Sequence, residues 1–251
     1  MSERRILCWF SCGAASAVAT KLTVGSGRSP VVPVYCATHA EHPDNDRFRH
    51  SVEKWIGAKI TSIASDDYAD TWDVWTRERW LAGIKGARCT IELKVIPRLK
   101  FQRPTDIHVF GYTADAADVA RAKRLRATYP ELTIETPLIE AGLTKAHCLE
   151  LLKTSGMAPP VTYAMGFPNA NCLPCPKATS PAYWALVRKH FPETFDRMAK
   201  LARELDVRLC QIKGKRRFID EIPLDHPTTN PIVPSCDFLC HIAEQDLSVA
   251  A

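Results

Sequence analysis

Short apolar runs alternate with amphipathic stretches from the start of the chain to about residue 155. Ile6-Leu7-Cys8-Trp9-Phe10 and Val31-Val32-Pro33-Val34-Tyr35-Cys36 are nearly continuous apolar runs, the pattern of strands covered on both faces. Between them Ala14 to Leu22 reads as a helix, which gives the spacing of a strand–helix–strand unit. A second helix carries Phe48, Val52, Trp55 and Ile56 on one face and leads to a third strand, Lys59-Ile60-Thr61-Ser62-Ile63. A tryptophan-rich helix follows, with Trp72, Trp75 and Trp80 expected on its buried side. Ile107-His108-Val109-Phe110 predicts a fourth strand, Ala114 to Arg126 a helix, Leu132-Thr133-Ile134-Glu135-Thr136 a fifth strand, and Thr144 to Leu152 a further helix.

Strands separated by helices predict an α/β domain over residues 1–155, a Rossmann-like parallel sheet with helices on both faces. Such sheets bind ligands beyond the C-terminal ends of their strands. Ser11 to Ser16, Cys36 to Glu41 and Gly111 to Asp115 are therefore expected around one mouth. From residue 156 to 251 proline, asparagine and cysteine become frequent. One long helix, Pro181 to Leu205, followed by irregular sequence, predicts a small C-terminal lobe bearing cysteines.

Composition narrows the class. A chain with 46% hydrophobic and 24% charged residues is ordinary for a water-soluble domain. No run approaches the roughly 18–20 apolar residues that cross a bilayer, so no membrane partner is expected. Glu3-Arg4-Arg5 ahead of Ile6 to Val18 imitates a secretory signal, but removing it would delete a strand that the second strand needs as a neighbour. A cytoplasmic location is the expectation. The net charge of +5 permits a nucleic-acid partner without favouring one. The sharpest basic run, Lys213-Gly214-Lys215-Arg216-Arg217, reads first as a solvated turn.

Ten cysteines are many for such a chain. Cys8, Cys36, Cys148 and Cys210 sit among apolar residues and read as inert core side chains. Cys172 and Cys175 form a C-x-x-C, a spacing that serves either a metal or a redox dithiol. Cys236 and Cys240 lie four apart, on one face if their segment is helical.

The turn after the first strand, Ser11-Cys12-Gly13-Ala14-Ala15-Ser16, is built of small residues that let backbone and helix start approach an anion. It resembles the Ser-Gly-Gly-x-Asp-Ser pyrophosphate loop of adenine-nucleotide α-hydrolases, with Cys12 in place of the first glycine and Ala15 in place of the aspartate. Loss of that carboxylate argues against ATP cleavage and leaves nucleotide binding. The second-strand segment Val34 to Asn45 is similar to the Asp-Thr-Gly segment of that superfamily, with Ala37 and His39 at the aspartate and glycine. Arg88-Cys89-Thr90-Ile91-Glu92-Leu93-Lys94-Val95-Ile96-Pro97 resembles the Cys-Thr-x-x-Leu-Lys-x-x-Pro signature of the phosphoadenosine phosphosulfate reductase family. Gly111-Tyr112-Thr113-Ala114-Asp115 through Arg121, Pro137-Leu138-Ile139-Glu140, and Tyr163, Gly166 and Asn171-Cys172-Leu173-Pro174-Cys175 follow in the family's order.

This resemblance implies a HUP-type fold and a sulfonucleotide-reductase-like enzyme that takes an adenine nucleotide as substrate. Nucleotide contacts are expected from Ser11, Cys12, Gly13, Ser16, Thr38, Gly111, Tyr112, Thr113 and Arg121. It further implies a cysteine-ligated centre, a four-iron iron–sulfur cluster or zinc, held by Cys89, Cys172, Cys175 and Cys240. Cys236, in the place of the family's nucleophile, is the expected catalytic thiolate, with a thiol electron donor as partner. ATP-dependent sulfur insertion into nucleic acid and a degenerate nucleotide-binding module are the alternatives. Lys94, Arg98 and Lys100, and Arg121, Lys123, Arg124 and Arg126, are candidate anion contacts. His39, His42 and His50 read as solvent-exposed turn residues.

Overall fold

The computed structural model describes residues 4–83 and 86–232. In chain order the elements are β1 (Ile6–Trp9), α1 (Ala14–Gly25), β2 (Val31–Cys36), α2 (Asp44–Ile56), β3 (Thr61–Ile63), α3 (Thr71–Glu78), α4 (Arg88–Thr90), a π-helical turn (Ile91–Val95) and α5 (Ile96–Phe101). They continue with β4 (Ile107–Phe110), α6 (Ala116–Thr128), β5 (Thr133–Glu135), α7 (Pro137–Glu140), α8 (Lys145–Thr154), α9 (Val161–Ala164), α10 (Pro181–His190), α11 (Pro192–Glu204), β6 (Cys210–Ile212) and β7 (Lys215–Arg217).

Two compact units emerge, and both are discontinuous. Of the described residues, the first comprises 4–36, 43–63 and 98–160, the second 37–42, 64–83, 86–97 and 161–232. The division differs from the single boundary expected at 155/156. Its physical reason is an apolar cluster that joins Trp75 and Leu81 to Trp184, Met198 and Ile219, so residues 64–97 share a core with the C-terminal part of the chain.

The first unit is the predicted α/β layer. Its five strands run in the order β3-β2-β1-β4-β5, all parallel, with β1 at the centre. All four β1 residues are buried, which is why the N-terminal run is apolar throughout. Helix α1 is rich in alanine, and its small side chains allow close packing against the cluster of Phe10, Val18, Phe48, Val52, Leu138 and Leu152. At the opposite strand ends Arg5 grips Asp106 through two bonds of 3.0 and 2.6 Å, and the Ile107 amide donates to the Arg5 carbonyl. That fork fixes the register in which β1 and β4 begin.

In the second unit three expectations are corrected. The helix foreseen over Pro181 to Leu205 is two helices, because Pro192 has no amide to continue the first and instead occupies the opening turn of the second. Trp80 does not lie on the buried side of α3. Arg79 takes a left-handed conformation that ends the helix at Glu78, and Trp80 beyond it is 42% exposed. The sequence after α11 is not irregular: β6 and β7 form an antiparallel hairpin. Its two-residue loop, Lys213-Gly214, has φ of 48° and 77°, the left-handed pair that hairpin twist favours. Among the described residues no helix is long and apolar enough to cross a membrane.

Candidate functional site

The turn after β1 is a compact hydrogen-bonded unit. Ser16 Oγ accepts from the Ser11 amide at 3.1 Å and donates to the Gly13 carbonyl at 3.0 Å, so the loop closes on the first turn of α1. The Ser11 hydroxyl lies 3.2 Å from the same oxygen. Gly13 is the N-cap, no side chain caps the helix, and the first turn carries no acidic residue. The first amides of a helix have no intrahelical acceptor and concentrate positive potential. A carboxylate there would neutralise that potential; alanine at position 15 leaves it intact.

Cys12 and His39 stand where the resembled loops have glycine, and both adopt the left-handed conformation, with φ of 56° and 53°. The backbone path that glycine serves is thus retained by side chains that pay a steric penalty of about 1 kcal/mol each. Cys12 is buried, its thiol 3.9 Å from the Asn45 carbonyl, while His39 is exposed.

Gly111, at the end of β4, touches the same loop. A Cβ at this position would lie 2.7 Å from both the amide nitrogen and the Cα of Ser16. Only glycine lets β4 and the start of α1 come this close. The residues after it organise around two carboxylates that the sequence reading missed. Asp118 accepts from the Thr113 amide at 3.1 Å, from its hydroxyl at 2.9 Å and from Arg121 at 2.6 Å. Asp115 accepts from the Lys145 amide at 2.9 Å and lies 2.8 Å from the same Thr113 hydroxyl, whose one proton the two carboxylates share. These bonds, the Lys145 amide first, hold the Asp115 carboxyl below the usual range. Burial pushes the Lys145 ammonium down, against the pull of Asp118 and Asp115. The Arg121 guanidinium lies over the Tyr112 ring, 4.9 Å from its centroid. Thr113 is thereby a buried organiser of the loop, and Arg121, on the helix that follows, is held between Asp118 and the Tyr112 ring. The only sequence signal was the three-residue spacing of Asp118 and Arg121 on one helix.

Arg98 is corrected from a candidate anion contact to a core residue. It is fully buried, 4.7 Å over the Tyr129 ring. Burial, followed by the Arg98 charge, pushes nearby His108 down to about 4. Its neutral ring accepts from the Trp9 indole at 3.1 Å.

In the second unit Thr38 is buried and its hydroxyl lies 3.0 Å from the Cys172 sulfur, with Glu41 at 3.8 Å. The Leu173 amide donates to the Ala40 carbonyl, and the Cys175 amide to the Tyr183 hydroxyl at 2.6 Å, which fixes the C-x-x-C turn. Cys175 belongs to the buried apolar cluster, and Cys89 packs against that cluster. Among the described residues no three His, Cys, Asp or Glu side chains are grouped to hold a metal ion. The described residues therefore do not by themselves fit a four-cysteine centre; Cys236 and Cys240 lie outside them. Cys8, Cys148 and Cys210 are core side chains, pushed up by burial to about 12, about 11 and about 11. His39 and His50 are exposed, whereas His42 is half-buried and meets the Phe191 ring edge-on at 5.9 Å.

No protein-family model matches this sequence, and no curated protein matches it. Among solved structures, the chain is similar to the phosphoadenylyl-sulfate (PAPS) reductase from Candida auris, in a phosphate complex, with a TM-score of 0.51 and 8% identity. The match covers 68% of this chain and 83% of that one. So low an identity speaks to architecture, and the conclusion is architectural: the chain has a PAPS-reductase-like α/β fold.

Proposed function

We propose that this chain binds an adenine sulfonucleotide at the Ser11–Ser16 turn and reduces its sulfur group. The observation that carries the reading is the uncapped, carboxylate-free start of α1, held against Gly111 at the C-terminal edge of a parallel sheet. The structural neighbour, a PAPS reductase, was solved as a phosphate complex, which supports an anion at the corresponding fold.

In this reading the α1 amides and the Ser11 hydroxyl receive the nucleotide phosphate, and Arg121, aimed by Asp118, adds a cation. A cysteine thiolate attacks the sulfonate sulfur, forming a sulfur–sulfur bond. The sulfur–oxygen bond to the nucleotide breaks, and the nucleotide phosphate leaves with the electron pair. A donor thiolate then attacks the cysteine sulfur and sulfite departs, leaving a mixed disulfide; a second donor thiolate attacks the donor sulfur of that bond, forming the donor disulfide and releasing the cysteine thiolate. Cys236 is the proposed nucleophile. An iron–sulfur or zinc centre remains part of the proposal, with Cys172 and Cys175 as neighbouring ligands and Cys89 and Cys240 completing the set. Its support is the rigid C-x-x-C turn and the packing of Cys89 on the cluster that contains Cys175. None of the steps above passes through it.

Calorimetry with AMP, adenylyl sulfate and phosphoadenylyl sulfate tests the binding, and sulfite release with a thiol donor tests the chemistry. Gly13→Val places a branched side chain where the anion approaches. It is expected to abolish binding while leaving the melting temperature within a few degrees. Unchanged affinity in that variant removes the turn from the site.

A further inference from the structure

The β6–β7 hairpin carries a concentration of charge that nucleotide reduction does not use. Over residues 208–217 the chain has Arg208, Lys213, Lys215, Arg216 and Arg217 and no acidic residue, against a net charge of +5 for the whole protein. The two ends of the hairpin differ. Its base is built into the unit: Leu209 and Cys210 are buried in the apolar cluster, and the Gln211 amide donates to the Thr179 carbonyl at 2.9 Å. Arg203 and Arg208 lie over the Phe218 ring at 3.9 and 4.8 Å. Carboxylates answer the basal cations: Arg203 meets Asp220 and Glu221, Arg208 meets Asp206 at 3.3 Å, and Arg217 meets Glu221 at 3.8 Å. The tip is different. Lys213, Lys215 and Arg216 are exposed and form no ion pair among the described residues; Arg216 makes one bond, to the Leu209 carbonyl at 3.3 Å.

A rigid base with a projecting cationic tip differs from a solvated charge run, whose members are scattered among partners. Among the described residues the antiparallel ribbon has no further strand on either edge, and its β7 residues are all exposed. A two-stranded ribbon of this kind is narrow enough for the major groove of B-form DNA, about 12 Å wide, and too broad for the deep, narrow groove of an A-form duplex. We infer that the hairpin tip docks on duplex DNA, with Lys213, Lys215 and Arg216 on backbone phosphates. Contacts of this type are sequence-independent and release counterions, so affinity falls steeply with salt.

The test measures binding of a labelled mixed-sequence DNA duplex by fluorescence anisotropy, between about 50 and 200 mM salt. The full chain is compared with the Lys213→Gln/Lys215→Gln/Arg216→Gln variant. Each lost phosphate contact lowers the log–log salt slope by about 0.9, so the variant's slope should be shallower by about 2–3. Its affinity at the lower salt should fall at least tenfold. All three side chains are exposed, and a matched melting curve verifies the fold. Failure of the full chain to bind, equal binding by the variant, or tighter binding to an RNA duplex or to phosphatidylserine vesicles each overturns the inference. Nucleotide affinity is expected to be the same in both proteins, which separates this surface from the Ser11–Ser16 turn.

Discussion

A methyl group on Gly111 would sit 2.7 Å from the amide nitrogen of Ser16, closer than any side chain can rest against backbone. The end of β4 and the start of α1 are thus fixed to each other without any side chain between them. Gly111→Ala must push the helix start away. The expected cost is about 1–3 kcal/mol, the range for overpacking a well-filled site. Nucleotide affinity should fall at least tenfold, because the displaced amides are the proposed anion donors. Gly25→Ala is the control, since nothing lies within 4 Å of its added Cβ. Thermal melting and calorimetry on both variants check this; equal behaviour contradicts the tight contact.

The left-handed residues give a prediction of the opposite sign. His39 is exposed, at φ 53°, so its side chain loses little when removed. His39→Gly relieves about 1 kcal/mol of backbone strain, partly offset by the greater entropy of an unfolded glycine. A net gain of up to about 1 kcal/mol in urea unfolding is expected. Cys12→Gly should not gain, because the buried Cys12 side chain belongs to the core cluster around Phe10 and Phe48. A loss in His39→Gly equal to that in Cys12→Gly would mean that the histidine side chain itself holds the loop.

These residues also show what the sequence could reveal. The central strand was the most legible, because a parallel strand covered on both faces has to be apolar along its length, as β1 is, whereas the edge strands β3 and β5 are largely polar and hold no buried residue. The hairpin was hidden by the opposite circumstance: β7 is Lys-Arg-Arg, exposed throughout, and has no apolar alternation to read. Pro192 did mark the break between α10 and α11, but the apolar periodicity on either side of it masked the signal. The discontinuous second unit depends on contacts such as Trp75 with residues more than a hundred positions away, which no local pattern encodes. In the site, the loop residues were recognisable one by one. The carboxylates of Asp115 and Asp118 were not, since their role lies in which neighbouring amide and hydroxyl they accept from.

Arg5 and Asp106 make stability depend on acid. Burial raises the Asp106 carboxyl, but the Arg5 fork and the Arg103 amide outweigh it and hold the group below its ordinary value. A carboxyl depressed in the folded state contributes stability that is complete above its unfolded pKa, about 3.9, and disappears as pH falls through the folded value. Urea midpoints should therefore drop between about pH 4 and the lower folded pKa. Asp106→Asn should remove that part of the dependence and cost about 3 kcal/mol at neutral pH, since Arg5 is left without its buried partner. A variant as stable as the parent at pH 7 would show the fork to be dispensable.

Asp118 separates positioning from folding. It holds both the Thr113 loop and the Arg121 guanidinium, so Asp118→Ala should loosen the two together, at about 1–3 kcal/mol for the unsatisfied buried donors. Asp118→Asn retains one acceptor for Thr113 but loses the ion pair. It should keep most of the stability while weakening nucleotide binding several-fold. Equal affinity in the asparagine variant and the parent, with Arg121→Ala also unchanged, would take Arg121 out of the site.

Cysteine reactivity provides the final prediction and bears directly on the metal centre. Burial raises the Cys8, Cys148 and Cys210 thiols to about 12, about 11 and about 11, so at pH 8 they hold almost no thiolate. Cys175 is buried as well, whereas Cys89 and Cys172 are partly exposed. Iodoacetamide on the folded chain, read by mass spectrometry, should mark Cys172 and Cys89 first among the described cysteines and reach the core set only on unfolding. The Cys172 sulfur lies 3.0 Å from the Thr38 hydroxyl and 3.8 Å from the Glu41 carboxylate, so both neighbours are polar. A cysteine-ligated centre reverses this pattern: protein purified anaerobically would be protected at Cys172, Cys175 and Cys89 together. Chelation would then expose Cys172 and Cys89 in step with the release of iron or zinc. Alkylation unchanged by chelation, with metal and sulfide far below one equivalent per chain, would leave Cys172 and Cys175 as a dithiol and withdraw the centre.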